Sequence, residues 1–222
     1  MSLVSSGALQ AAIVDLDGTM VDTLGDFAVA LNRMLAELAL PPVAPAAVER
    51  MVGKGSEHLV RSTLQHVGGD AALYDRAWEA YQRHYLAING QYSQVYAGVV
   101  EGLQLLQQRG LVLACLTNKP TAFALPLLQA KGLDGFFKLV FGGDAFARKK
   151  PDPLPLLETC KALGTAPQRT LMIGDSSNDA QAARAAGCPV LLVTYGYNHG
   201  EPVHAVDADG FLDALADVGR LL

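Results

Sequence analysis

The sequence has few cysteines and no long apolar run, and these absences exclude several classes of protein. Cys115, Cys160 and Cys188 form no Cys-x-x-Cys pair and have no zinc-ligand spacing, so we expect neither a disulfide framework nor a thiolate metal site. The apolar stretch 8–14 stops at Asp15, is too short to span a membrane and follows no cationic segment. We therefore expect buried free thiols, no membrane association and a cytoplasmic location.

Positive charge is also scarce. The chain has 17 Lys and Arg against 22 Asp and Glu, which gives a net charge of −5, and the sequence contains no run of basic residues. Because binding to a phosphate backbone needs clustered cations, we expect no nucleic-acid partner. Half of the 222 residues are hydrophobic, which is enough for a packed core and excludes a disordered chain.

Short apolar runs alternate with helical patterns along most of the chain. The runs are apolar on both faces, as strands are in a parallel sheet covered by helices, and they lie at 11–14, 111–116, 139–141, 170–173 and 190–193. The helical patterns lie at 99–109, 122–131, 154–163 and 179–186, and a glycine follows each of them. This alternation predicts an α/β fold, a doubly wound parallel sheet with a Rossmann-like core.

Residues 23–92 break this rhythm because they contain no buried-strand run. They carry amphipathic helical patterns instead, including an aromatic stripe from Tyr74 to Ile88 that is typical of a helix–helix core. We therefore predict two domains: an α/β core of residues 1–22 and 93–222, and an inserted all-helical cap domain of residues 23–92. The linkers 22–25 and 90–98 contain glycine and are suited to hinge motion.

Polar side chains follow four of the predicted strands, at the ends where a doubly wound sheet binds its ligands. They are Asp15 and Asp17 after the first strand, Thr117 and Asn118 after the second, Lys150 beyond the third, and Asp175 and Asp179 after the fourth. The sequence thus delivers several carboxylates, a hydroxyl and a lysine to one edge of the sheet.

This set of groups favours phosphoryl-transfer chemistry. Several carboxylates in one small site repel each other unless a cation neutralises them, and Mg²⁺ is the hard cation that prefers oxygen ligands. Lys150 and the Thr117 hydroxyl suit the oxygens of a phosphoryl group instead. No P-loop lysine pattern is present, so we expect phosphate to be the transferred group and an aspartate to be the nucleophile.

At this point the motifs resemble those of a known family, the haloacid dehalogenase-like hydrolases. The segment 15–19 (Asp-Leu-Asp-Gly-Thr) looks like the first motif of the phosphatases in that superfamily, and Thr117 matches the second. The segment 150–153 (Lys-Pro-Asp-Pro) is similar to the third motif, and 174–179 (Gly-Asp-Ser-Ser-Asn-Asp) resembles the acidic fourth. The insert lies where the family has its helical cap. Together with 22–23, 41–42 and 52–55, the pattern looks like the phosphoglycolate phosphatase branch.

The resemblance implies a role for each residue of the catalytic set. Asp15 would attack phosphorus and form an aspartyl-phosphate, and Asp17 would act as general acid and then general base. The side chains of Asp15 and Asp175 and the backbone carbonyl of Asp17 would bind Mg²⁺. Thr117 would hold phosphate oxygens and Lys150 would balance their charge.

Further roles are implied for residues around that set. The backbone N–H of Asn118 would also hold a phosphate oxygen. Asp179 would support the metal waters or Lys150, although an acid in the first turn of a helix is an equally ordinary position for it. Lys149 stays an alternative to Lys150 if the loop register shifts.

The substrate must be selected by what covers the site, because the catalytic groups treat all phosphates alike. Lys54 lies between Gly53 and Gly55 in the cap and is a candidate partner for a substrate carboxylate, with a solvated turn lysine as the alternative. We expect a small anionic phosphate ester, with 2-phosphoglycolate favoured by the resemblance. The sequence does not decide between a monomer and a homodimer.

Other functions remain open at this stage. A pyrophosphatase, a nucleotide monophosphate phosphatase and a hexose-phosphate mutase of the same superfamily are alternatives. The predicted first cap helix, residues 24–40, lacks the histidine that such mutases place there. A receiver-like module phosphorylated on Asp15 is a more distant alternative, because a poised Asp17 would shorten the life of the acyl phosphate.

Overall fold

The structure is a computed structural model, and it describes residues 9–221. Its elements, in chain order, are β1 (Ala11–Val14), β2 (Val21–Asp22), α1 (Leu24–Glu37), α2 (Pro45–Glu49), α3 (Ser56–His66), α4 (Tyr74–Ile88), β3 (Gln94–Val95), α5 (Val99–Gln108), β4 (Val112–Leu116), α6 (Thr121–Ala130), β5 (Leu139–Phe141), α7 (Leu154–Leu163), β6 (Thr170–Gly174), α8 (Ser177–Ala186), β7 (Val190–Val193), β8 (Gly210–Leu212) and α9 (Val218–Leu221). Residues 1–8, where we expect no cationic targeting segment, lie outside the described residues.

Six strands form one sheet in the order β5-β4-β1-β6-β7-β8, and every neighbouring pair is parallel. The first strand lies in the middle, where Val14 pairs with Cys115 on one side and Ile173 on the other. The chain builds the β4–β5 side first and then crosses to β6. This reversal beside β1 is the switch point at which doubly wound sheets bind ligands, and the predicted α/β fold class is confirmed.

Both faces of the sheet are buried because successive side chains of each strand point to opposite sides. In β1, Ala12 and Val14 belong to one apolar cluster, which α5 and α6 cover. Ala11 and Ile13 belong to a second cluster, which α7 and α8 cover. The five predicted strands are present, because each has enough apolar residues to meet a helical layer on both sides.

The sequence analysis did not predict several short elements. Among them, the edge strand β8 has three residues and the helix α2 has five, so neither is long enough to show a recognisable pattern. The three cysteines are free and buried, as the sequence predicts. Within residues 9–221, no helix has the length and apolar character needed to cross a membrane.

The inserted residues form a helical layer around an apolar cluster that also includes Phe123 and Tyr197 from outside the insert. Helices α1, α3 and α4 contribute a cluster in which Met34, Leu59, Tyr81 and Tyr85 are buried. The aromatic stripe of α4 lies in this core, with its rings stacked or tilted against one another at 5.5 to 6.4 Å between centroids. Its interpretation as a helix–helix core is confirmed, while the domain boundaries stay a prediction.

The two linkers to the insert run side by side as a two-stranded antiparallel ribbon, β2 and β3. Tyr197, from the loop after β7, fastens this ribbon to the core. Its hydroxyl donates to the carboxylate of Asp22 and accepts the backbone N–H groups of Thr23 and Leu24 at 2.9 and 3.1 Å. Because Thr23 makes no side-chain cap for α1, the phenol of Tyr197 supplies the missing acceptor at this helix start.

We expect Tyr197→Phe to destabilise the protein, because it leaves the backbone N–H of Thr23 without its acceptor and removes one of two partners from both Leu24 N–H and the Asp22 carboxylate. The loss in free energy of unfolding should be about 1–3 kcal/mol, measured by urea denaturation. Tyr195→Phe is the matched control, since it removes a single hydrogen bond to the Thr19 carbonyl. Equal losses in the two variants would show that Tyr197 does not hold the hinge.

Candidate active site

The loops after β1, β4 and β6 and the loop before α7 meet at the carboxyl edge of the sheet. The amine Nζ of Lys150 lies 3.1 Å from Oδ1 of Asp15 and 2.7 Å from Oδ1 of Asp179. Carboxylate oxygens of Asp15, Asp175 and Asp179 all lie within 4.8 Å of one another. The structure therefore brings the sequence-predicted acids together with the predicted lysine.

The three acids of this cluster are buried together. As whole residues, they are at most 9% exposed. Burial raises the pKa of Asp15 to about 7 in spite of the opposing effect of Lys150. Burial and the neighbouring carboxylates of Asp179 and Asp15 also raise the pKa of Asp175. The nearby positive charge of Lys150 is therefore too little to balance the carboxylates of this cluster.

The arrangement fits a divalent cation. Within residues 9–221, the buried Oδ1 of Asp15 accepts no directed hydrogen bond, although Lys150 forms an ion pair with it. A metal ion next to Asp15 and Asp175 would compensate the buried charge with oxygen ligands alone.

Asp175 is held in place by its neighbours on both sides. One carboxylate oxygen accepts the Thr19 hydroxyl at 3.1 Å, and the other accepts the backbone N–H of Tyr197 at 2.6 Å. Gly18 and Gly196 pack against it so closely that a Cβ atom on either glycine would lie 2.2 Å from an Asp175 atom. Gly18 also has a φ of 81°, which an L side chain rarely adopts. Glycine is therefore required beside this carboxylate.

Asp179 combines the two roles between which the sequence left a choice. One oxygen pairs with Lys150, and the other accepts the backbone N–H and the hydroxyl of Ser176 at 3.2 and 2.8 Å. This second set forms a capping box at the start of α8. Its carboxylate therefore fixes both the helix start and the amine of Lys150.

Lys150 is almost completely buried and its amine has three partners. It donates to Asp179 and to the Leu116 carbonyl at 2.7 and 2.9 Å, and it forms an ion pair with Asp15. Burial alone would lower its pKa, but the two carboxylates raise it, so the amine stays charged. The adjacent Lys149 points elsewhere and pairs with Glu57 of the cap at 2.6 Å. The loop register is thus the one in which Lys150 faces Asp15.

Thr117 and Asn118 follow β4 directly. The Thr117 hydroxyl accepts the backbone N–H of Lys119 at 3.2 Å, and its own proton stays available to an anion. The Asn118 side chain bridges the backbone N–H and carbonyl of Lys150 at 3.0 and 2.8 Å. Within the described part of the chain, the backbone N–H of Asn118 has no protein acceptor. Two donors at the strand end are thus available to phosphate oxygens.

The cap lies closed over this edge. The carbonyl of Gly53 accepts the side-chain amides of Asn118 and Asn178 at 2.9 and 3.1 Å. The cavity between cap and core is bordered by Asp15, Asp17 and Thr117 and has about 20 Å³ of free space, room for about one water molecule. A substrate therefore enters only when the cap moves away from the core.

Two lysines, Lys54 in the cap and Lys119 in the core, lie in surroundings that the sequence analysis did not predict. The side chain of Lys54 is exposed, and its neighbours Gly53 and Gly55 border the cavity instead. Lys119, which the sequence analysis did not single out, places its amine 2.9 and 3.2 Å from the carboxylate oxygens of Asp17. The sequence could have indicated Lys119, because it lies two residues after Thr117 at the end of a predicted strand.

Comparison with known proteins agrees with these motifs. A model of the haloacid dehalogenase-like hydrolases matches residues 12–193. A phosphoglycolate phosphatase of Thiobacillus denitrificans and one of Nitrosospira multiformis are each 43% identical over 217 residues, which cover 96% of both chains in each comparison. A crystal structure from Haemophilus somnus, described as a predicted phosphoglycolate phosphatase, superposes with a TM-score of 0.93. It is 31% identical and covers 96% of this chain and 98% of its own.

The match extends over most of the chain and includes all four strand-end motifs. The chain belongs to the haloacid dehalogenase-like hydrolases and is a phosphatase of the branch in which these relatives fall.

Proposed function

We propose that the protein is a Mg²⁺-dependent phosphomonoester hydrolase that acts through an aspartyl-phosphate on a small anionic ester, 2-phosphoglycolate above all. The observation that carries the proposal is the meeting of Asp15, Asp175, Thr117 and the charged Lys150 at one edge of the sheet. This edge offers a nucleophile, phosphate-binding donors and charge compensation in one place.

In the proposed hydrolysis, two carboxylates have separate roles. An oxygen of Asp15 attacks phosphorus, and the bond from phosphorus to the ester oxygen breaks. Asp17 borders the same cavity and gives its proton to the departing alkoxide, which leaves as the alcohol. Asp17 then takes a proton from a water molecule that attacks the aspartyl-phosphate, and inorganic phosphate is released.

The remaining groups bind and orient the phosphate. The Thr117 hydroxyl and the backbone N–H of Asn118 donate to its oxygens, and Lys150 offsets the repulsion between the Asp15 carboxylate and an anionic substrate. Asp179 keeps the Lys150 amine in place through its 2.7 Å ion pair.

Mg²⁺ would be held by the side chains of Asp15 and Asp175 and by the backbone carbonyl of Asp17, and it would supply charge stabilisation to the phosphoryl group. Thr19 and Tyr197 orient the Asp175 carboxylate for this purpose. Asp179 takes no ligand position in this proposal; its carboxylate holds the Lys150 amine and the start of α8 instead.

The preference for 2-phosphoglycolate is supported by the relatives with this name, which are 43% identical over almost the whole chain. Lys54 stays a prediction as a partner of the substrate carboxylate. The proposed location is the cytoplasm, in keeping with three free thiols.

Asp15→Asn should abolish hydrolysis of 2-phosphoglycolate while the protein remains folded, because an amide of the same size cannot form the covalent intermediate. Phosphate release and circular dichroism measure the two effects. Asp207→Asn, at an exposed ion pair with Arg184, is the control and should keep its activity. Appreciable turnover by folded Asp15→Asn would refute the assignment of the nucleophile.

Mg²⁺ should raise the melting temperature of the wild-type protein at neutral pH, because it relieves repulsion among the buried carboxylates. At a hundred times its dissociation constant, the ion would add about 2.7 kcal/mol to stability. Asp175→Asn should lose most of this shift, with NaCl of equal ionic strength as the control. A shift of equal size in Asp175→Asn would remove Asp175 from the metal site.

A further inference from the structure

We propose that Lys119 is the residue that selects substrates with a second anion, by pairing with the carboxylate of the ester. This inference rests on the proposed function and adds a specificity-determining residue to it. It starts from the place of the Lys119 amine in the cavity between core and cap.

The surroundings of Lys119 are unusual for a lysine. Its side chain is completely buried, and its amine lies 4.4 Å from the ring centre of Phe27 and 4.7 Å from that of Tyr85, both from the cap. Aromatic faces hold an ammonium group without neutralising it. Lys119 is also the cationic residue among those that border the cavity.

Its hydrogen bonds leave Lys119 with capacity that Lys150 lacks. The Lys150 amine donates to Asp179 and to the Leu116 carbonyl and forms an ion pair with Asp15, so it has three partners. Within residues 9–221, the Lys119 amine donates to Asp17 alone. A buried ammonium group with a single carboxylate partner can take a second anion.

The position of Lys119 fixes where that anion lies in the substrate. In the proposed reaction, Asp17 gives its proton to the ester oxygen and therefore lies within hydrogen-bond reach of it. The Lys119 amine is 2.9 Å from Asp17, so it faces the part of the substrate just beyond that oxygen. A carboxylate one or two carbons from the ester oxygen is within its reach. The favoured class is thus the phosphate esters of short hydroxy acids.

The cap completes the selection. Phe27 and Leu59 border the same cavity, and their apolar side chains exclude water from around the charge pair, which strengthens it. Lys54, in contrast, has an exposed side chain, where solvent weakens an ion pair. The buried lysine is the better partner for the substrate carboxylate.

The first test compares two substrates that differ only in the second anion, 2-phosphoglycolate and ethyl phosphate. Lys119→Met and Lys119→Gln should reduce the ratio of kcat/KM for the two esters at least tenfold. The ratio cancels any common effect of the substitutions on Asp17, and the Gln amide still offers Asp17 a hydrogen bond. Lys161→Met, at an exposed lysine that pairs with Glu158, is the control and should leave the ratio within about threefold of wild type. Lys54→Met is measured beside it as the variant of the competing candidate.

A second test measures binding instead of turnover, and it uses variants in which Asp17 is replaced, so that no Asp17 carboxylate is left without its partner. Calorimetry measures binding of 3-phosphonopropionate and propylphosphonate to Asp17→Asn and to Asp17→Asn/Lys119→Met, both with Mg²⁺ present. Asp17→Asn should bind 3-phosphonopropionate at least tenfold more tightly than propylphosphonate, which lacks the carboxylate, and the double variant should bind the two alike. The double variant removes both members of the ion pair and so avoids an isolated buried charge.

These outcomes separate the two proposals. If the wild-type protein hydrolyses no phosphate ester, the proposed function fails. If it hydrolyses 2-phosphoglycolate and the Lys119 variants keep the preference for the carboxylate, or Lys54→Met loses it, the assignment of Lys119 is wrong and the proposed function stands.

Discussion

Buried negative charge at the carboxyl edge of the sheet is the constraint on which the rest of the structure depends. Asp15, Asp175 and Asp179 approach within 4.8 Å, and the Lys150 amine pairs with Asp15 and Asp179. Carboxylates this close repel each other unless neighbouring groups orient and compensate them. The capping box of α8 and the two glycines that pack on Asp175 serve that requirement. Local backbone conformation and active-site electrostatics are therefore parts of one arrangement.

The cap is connected to the same arrangement at its hinge and at its closing loop. At the hinge, Tyr197 donates its backbone N–H to Asp175 and binds the start of α1 through its hydroxyl. At the loop, Asn118 holds both Lys150 and the carbonyl of Gly53. The residues that order the phosphate-binding edge thus also bind the closed cap. Closure excludes water from the site and strengthens each charge pair within it.

Much of the fold could be predicted because the strands of a parallel sheet need apolar side chains on both faces. This requirement made β1, β4, β5, β6 and β7 visible as short apolar runs, and glycines with positive φ end the helices α5, α6, α7 and α8 as expected. The strand β8 and the ribbon of β2 and β3 were not predicted. Segments of two or three residues carry no period, and tertiary pairing alone makes them strands.

The sequence by itself determined the sheet, the order of the motifs and the acids, lysine and threonine that meet at its edge. Topology made this possible, because parallel strands bring their carboxyl ends to one side. Only the tertiary structure decided the partners of side chains far apart in the chain. It placed Lys119 against Asp17 and the cap rings, joined Tyr197 to the hinge, and left Lys54 exposed. Such contacts depend on how the cap packs on the core, and no local pattern encodes that geometry.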